Sequence, residues 1–473
     1  MELTVTAGPS LPDRRQVESG AAPGGHSLRR NVVYAVGGMG IFYASQFVVI
    51  VLLAKFAPPD VLGQVEFSLA IATPIVLFCS LELRGALVAD AANEFTFGTY
   101  RRLRSLTMTM AGVVLMGVAV WQAPRQPGLA YSIILVGMFA SRIILSLAEI
   151  DWGIFQKRER LDLMAFSAGV RGLAMVAAFG ALLPAFSCLR RLGAISAERA
   201  ADGAALAVII YALASVAWLL AFDRRQVAAR ADHDPDWTWP AVGHLARQTL
   251  PLGLVLLILH LCNSIPILLI EPQENGKAAV GHFGALSRLT LAGSLVVLQA
   301  ANAAANRLAH AYQSDLRAFL RLAGKLLALA LAVGLPLLLI TLLFGEWLLR
   351  VLYRPDYATY FPEFKIIVLA QCLALLTVVF GVVTTQMRLF WLQVPAQLLV
   401  LASTAVAAWL LIPGGQPVRG GAWTVLIRSS VHVVLYAGCV LAGILLRPWL
   451  LARQVRPTPT APPAKGPDVL PGW

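Results

Sequence analysis

The chain has 473 residues, 58% of them hydrophobic and 13% charged, with a formal net charge of +13. A soluble protein carries about 25% charged residues, so a soluble globular domain is excluded. The basic excess invites a nucleic-acid reading, but most basic residues flank apolar runs, which is the pattern of membrane topology. Repeated apolar runs of roughly 18 to 25 residues mark a polytopic membrane protein.

The first 28 residues are polar and lack an apolar core, so they are no cleavable signal peptide. Twelve spans follow, at 32–54, 62–83, 105–123, 128–149, 165–187, 204–222, 248–270, 280–302, 322–344, 363–385, 391–412 and 420–446. Each is expected to be helical, because lipid offers no partner to a bare peptide group. Five cysteines, Cys79, Cys188, Cys262, Cys372 and Cys439, form no CxxC pair and read as small apolar residues. No metal site and no cofactor are expected.

Charge sets the expected orientation. With the N-terminus in the cytoplasm, 24 of the 38 Lys and Arg fall on the cytoplasmic side and 10 on the outer side. The remaining four, Arg142, Arg171, Arg288 and Arg428, lie inside spans. That asymmetry predicts both termini inside. The longest internal polar segment, 223–247, separates two halves with a shared hydropathy rhythm. Gly63 matches Gly281, and Arg29 matches Arg247, at an offset of 218. The expected organisation is a disordered cytoplasmic tail (1–31), an N-lobe of six spans (32–222), a cytoplasmic linker (223–247), a C-lobe of six spans (248–446) and a disordered Pro-rich tail (447–473). Parallel repeats of this kind place a substrate site between two lobes that rock to give alternating access.

The eighth span carries an arginine at its middle. On a continuous helix at about 100° per residue, Arg288, Gln299, Asn302 and Asn306 fall on one side. A cation facing lipid costs at least about 2.5–3.5 kcal/mol, so this face should meet protein or a wet cavity. Arg288 is then either a ligand contact or a structural arginine bonded to neighbouring carbonyls. Span 7 places His260, Asn263 and Ser264 at a depth within about 3 Å of Arg288. His260 is either a hydrogen-bonded core histidine or the carrier of a coupling proton. Span 2 sets Glu66, Thr73, Ser80 and Arg84 on one face, and Arg84 is as well explained by snorkelling. Arg142, Ser146 and Glu149 share a side of span 4. Arg428 and His432 are neighbours on span 12, where a structural role is favoured. Arg171 reads as a snorkelling residue at the cytoplasmic edge. Gly37, Gly38 and Gly40 read as close-packing glycines.

Four intramembrane arginines outnumber the carboxylates Glu66 and Glu149, both near span ends. An electropositive cavity suits an anionic substrate such as a pyrophosphate or an acidic sugar. Substrate contacts are expected at Arg288, Gln299, Asn302, Asn306, Asn263 and Arg84, and ion coupling at His260.

The segments IPILLIEPQENGKAAVGHFGALSRL, LQAANAAANRLAHAY, LYRPDYATYFPEFKIIVLA, TTQMRLFWLQVPAQ and LIPGGQPVRGGAWTVL occur in that order. The series resembles the polysaccharide-biosynthesis, or oligosaccharide flippase (Wzx-like), family over about residues 29–446. The resemblance implies an all-α integral membrane protein of about 12 helices in two six-helix lobes, the fold of multidrug and polysaccharide exporters. It also implies flipping of a polyprenyl-pyrophosphate-linked oligosaccharide across a bacterial cell membrane. A basic residue in the eighth span helps line a cationic cavity in that family, and Arg288 occupies that span here. The expected partners are the lipid-linked oligosaccharide, the bilayer and other polysaccharide-assembly proteins, with no nucleic acid.

Two other classes compete. A membrane polymerase, ligase or glycosyltransferase needs acid/base groups gathered at an aqueous surface, and the short outer loops carry no paired carboxylates. A drug antiporter of the same fold would favour buried carboxylates, which the sequence does not reveal. No P-loop is present, so the energy source is an ion or substrate gradient.

Overall fold

The computed structural model describes residues 28–447, apart from 91–92, 197–198, 200, 230–235, 291 and 388. Both tails expected to be disordered lie almost wholly outside the described residues. The described chain is helical throughout, with no strand among the described residues. It divides into two compact units, with the boundary between Leu257 and Ile258.

The first unit contains α1 (Leu28–Phe56), α2 (Pro59–Ser80), α3 (Leu83–Ala89), α4 (Phe97–Gln122), α5 (Leu129–Lys157), α6 (Leu161–Arg191) and α7 (Asp202–Trp218). The chain runs on from α7 through a π-helical turn, Leu219–Asp223, into the short α8 (Arg224–Ala228). α9 (Trp239–Ile270) crosses the boundary. The second unit continues with α10 (Gly276–Thr290), α11 (Ala292–Ser314), α12 (Leu316–Leu352), α13 (Phe361–Gln386), α14 (Phe390–Leu411) and α15 (Pro417–Leu445).

Among the described residues, eleven helices are long and apolar enough to cross a membrane. The difference from the expected twelve lies in the eighth span, which is described as helix on either side of Leu291, over Gly276–Thr290 and Ala292–Ser314. The polar stretch 223–247 is also more helical than a linker. The helix continues to Ala228, and α9 begins at Trp239.

In the first unit α1 lies along α6, and glycines set that approach. A Cβ on Gly38 would stand 2.3 Å from the Ala165 Cα, and one on Gly172 would stand 2.8 Å from the Ser45 hydroxyl. Gly37 and Gly40 have no atom within 4 Å of such a Cβ, so only one of the three span-1 glycines is a packing glycine of the expected kind. Buried Phe42, Leu83, Leu87, Tyr100, Trp152 and Phe155 belong to one hydrophobic cluster of this unit.

In the second unit α13 packs on α15, α12 and α11. Gly421 lets α15 approach Phe283 of α10 and Ile270 of α9. The Tyr312 hydroxyl donates to the Gly443 carbonyl at 2.7 Å, fastening α11 to α15.

Candidate functional site

The second span of the first half is interrupted. α2 ends where Leu81 and Glu82 adopt left-handed backbone, with φ of 50° and 49°. The Ser80 hydroxyl satisfies the Leu77 carbonyl at 2.7 Å there. The chain then restarts as α3, one residue before Arg84. In the second half, α10 is described to Thr290, whose hydroxyl donates to the Ser287 carbonyl at 2.8 Å. α11 is described from Ala292, and Gln371 of α13 donates to Ser294 at 2.6 Å. Arg288 stands near the end of the described α10.

The break at Leu81–Glu82 corrects one sequence expectation. Arg84 does not continue the Glu66–Thr73–Ser80 face, because the backbone turns between Ser80 and Leu83. It donates instead to Gln156 Oε1 at 3.0 Å and to the Met164 sulfur at 3.2 Å. Its guanidinium lies 6.0 Å from the Trp152 ring centre. The expected face of Arg288, Gln299, Asn302 and Asn306 runs across Leu291, which lies outside the described residues. Arg288 is half-buried on α10, while Gln299 and Asn302 are exposed on α11. The Asn306 side chain lies outside the described residues.

The remaining predicted residues fall as follows. His260 is half-buried on α9. Asn263, one turn on, is engaged. Its side-chain carbonyl accepts from Arg428 at 2.6 Å, and its amide donates to the Leu259 carbonyl at 3.2 Å. Arg428 also donates to the Cys262 carbonyl at 3.1 Å, so this arginine ties α15 to α9. His432 packs edge-on against Tyr436, with ring centres 4.7 Å apart.

In the first unit, Arg142 of α5 donates to Thr73 of α2 at 3.1 Å. Glu66 on α2 is 2% exposed. Arg104, which sequence counting left in a cytoplasmic loop, is 1% exposed on α4 and donates to Ser146 at 3.0 Å. The charges of Glu149, Glu82 and Arg84 act on it. Arg84 and Arg104 therefore meet partners on α5, which itself carries Arg142, and the unit holds more buried cationic groups than the sequence revealed.

Arg171 does not snorkel. It is 2% exposed and paired to Asp223, itself fully buried. Asp151 is buried as well and lies 3.3 Å from Arg224 Nε. The unit thus contains buried carboxylates that hydropathy counting placed outside its spans.

No family model matches the chain. It is 21% identical over 405 residues to the capsular polysaccharide biosynthesis protein CapF of Staphylococcus aureus, covering 83% of this chain and 93% of the relative. Among solved structures it is similar to the lipid II flippase MurJ in an inward closed conformation, with a TM-score of 0.64 at 10% identity, covering 90% of this chain and 94% of that one. It is also similar to an inward-facing multidrug resistance MATE family transporter of the MOP superfamily, with a TM-score of 0.61 at 14% identity, covering 90% and 100%. The chain has the fold of the MOP-superfamily transporters, an all-α membrane architecture.

Proposed function

We propose that this protein is a flippase that moves a polyprenyl-pyrophosphate-linked oligosaccharide across a bacterial cell membrane. The observation that carries the reading is the MOP-type fold with an arginine on the second span of each half. Arg84 follows the left-handed break at Leu81–Glu82, and Arg288 is half-buried on α10. A guanidinium matches a phosphate with two parallel hydrogen bonds. Gln299 and Asn302, exposed on α11, suit sugar hydroxyls, and Asn306 follows them one turn on.

The likeness to CapF points to the polysaccharide branch of the fold, and the likeness to MurJ points to a lipid-linked cargo. In this reading the lobes 32–222 and 248–446 are the moving bodies, both termini are cytoplasmic, and the substrate enters from the inner leaflet.

The test is selectivity in reconstituted vesicles. The protein should translocate a fluorescent polyprenyl-pyrophosphate oligosaccharide and leave behind the same glycan on an uncharged lipid. Equal transfer of both lipids would remove the pyrophosphate from the recognition and overturn the proposal.

A further inference from the structure

We propose that His282 is the proton-binding group of this protein, and that its proton sets how α10, and with it Arg288, docks on the segment 353–360. The role in coupling rests on the flippase reading above; the protonation itself stands apart from it.

His282 lies on α10, six residues before Arg288, and is 7% exposed. Neither ring nitrogen makes a hydrogen bond of ordinary geometry, and the Ala278 carbonyl one turn back and Asp356 are the acceptors that act on it. The ring sits against Tyr357 and Tyr360, with centres 4.7 and 4.5 Å away. Its Nε2 is 3.9 Å from Asp356 Oδ2, beyond hydrogen-bond range but close enough for an ion pair. Asp356 also bridges Arg354 at 3.1 Å.

A neutral imidazole carries one donor and one acceptor. Burying both without well-formed hydrogen bonds is costly. A metal role needs further ligands, and no cluster of three His, Cys, Asp or Glu exists among the described residues. A protonated ring fits what surrounds it. Two phenol faces attract a cation, and Asp356 is a small movement away. The site therefore distinguishes the two protonation states, which is what a bound proton needs in order to shift a conformational equilibrium.

The charged groups acting on the ring are Asp356 and Arg354, both from the 353–360 segment, and its titratable neighbours are Tyr357 and Tyr360. α13 and α15 also pack on α10 and set no other charge on the ring among the described residues. The same segment grips α10 a second time, since the Tyr353 hydroxyl donates to the Ala285 carbonyl at 2.9 Å. Drawing Nε2 onto Asp356 moves α10 against this grip, and Arg288 rides on the same helix. The coupling proton is thus assigned to His282 in place of His260.

The test begins with protein carrying ¹⁵N-labelled histidine in lipid nanodiscs, titrated from pH 4 to 8. One ring resonance, absent from His282→Gln, should pass from neutral to doubly protonated in that window. Its midpoint should fall in Asp356→Asn, a change at a half-exposed side chain that leaves the fold intact. A ring that stays neutral throughout, or a midpoint indifferent to Asp356→Asn, overturns the proposal. Vesicles with an imposed pH gradient then test coupling. Asp356→Asn and His282→Gln should lose the dependence of flipping on the gradient. If His282 titrates as described and both variants keep that dependence, the coupling role is overturned. If His282 titrates but the unmodified protein flips nothing, the proton site stands and the flippase reading fails.

Discussion

Arg171 and Asp223 form an ion pair at 2.7 Å with side chains 1% and 0% exposed, joining α6 to the π-helical turn after α7. Arg171 also donates to the Ser215 carbonyl at 3.1 Å. The π turn matters because it adds a residue to one helical turn and so rotates Asp223 inward. Below it, Arg224 reaches Asp151 of α5 at 3.3 Å. The ends of three spans are held by alternating buried charges.

Removing one partner from such a pair leaves an uncompensated buried charge, at a cost of about 3–5 kcal/mol. Asp223→Ala and Arg171→Ala should therefore lower thermal stability in detergent sharply. The double change Arg171→Met with Asp223→Leu should recover most of the loss, since apolar residues of similar size often replace buried pairs without penalty. Single variants as stable as the parent would show that the pair is screened by water.

The span-1 glycines give a second contrast. Gly38→Ala drives a methyl to 2.3 Å from the Ala165 Cα, where backbone must move. Overpacking of this kind costs about 1–3 kcal/mol or more. Gly37→Ala and Gly40→Ala meet open space and should be neutral or gain up to about 1 kcal/mol from helix propensity. Denaturation midpoints of the three single variants decide it. Equal effects at all three positions would contradict the packing described.

The architecture was legible because apolar length and flanking charge suffice to find spans in a bilayer. The break in the second span was not. Leu81 and Glu82 take left-handed backbone without glycine or asparagine to announce it. Asp223 was read as the first residue of a linker because polarity begins there, whereas the helix continues. Arg104 was counted as a loop cation for the same reason. Arg428 and Asn263 are 165 residues apart, so nothing local joins them.

That last pair is testable in isolation. Arg428 donates to the Asn263 side chain at 2.6 Å and to the Cys262 carbonyl. Residues in direct contact show coupling energies of about 0.5–3 kcal/mol in a double-mutant cycle. Asn263→Ala and Arg428→Ala should each destabilise, and their double variant should cost less than the sum. Additivity would free Asn263 for a ligand role and leave Arg428 to the Cys262 carbonyl.

Asp90, in the loop between α3 and α4, makes stability depend on acid. Its burial alone would raise the carboxyl. Amide hydrogen bonds from Glu94 at 2.9 Å and Phe95 at 3.3 Å, the Lys157 charge and the Tyr100 hydroxyl outweigh that and hold it below the usual carboxylate range. A carboxyl lowered on folding contributes fully above its unfolded value of about 3.9, and the contribution is lost as pH falls below that. Between pH 5 and pH 3 the parent should therefore lose more stability than Asp90→Asn. Parallel acid curves for the two proteins would mean that the loop does not hold the carboxylate.

Arg288 separates function from structure most directly. It stands half-buried on α10, six residues past His282. A cation at this depth is costly unless it meets polar groups. A pyrophosphate would meet the guanidinium through two parallel hydrogen bonds. Lysine keeps the charge and loses the fork. Arg288→Ala should therefore abolish translocation of labelled lipid-linked oligosaccharide in vesicles, Arg288→Lys should retain part of it, and both should match the parent in thermal stability. Arg84→Ala is expected to differ. Arg84 is already held by Gln156 and Met164, so its loss should reduce both translocation and stability. Normal flipping by Arg288→Ala would exclude this arginine from the substrate path. A variant that simply unfolds would assign it instead to holding the end of α10 in place.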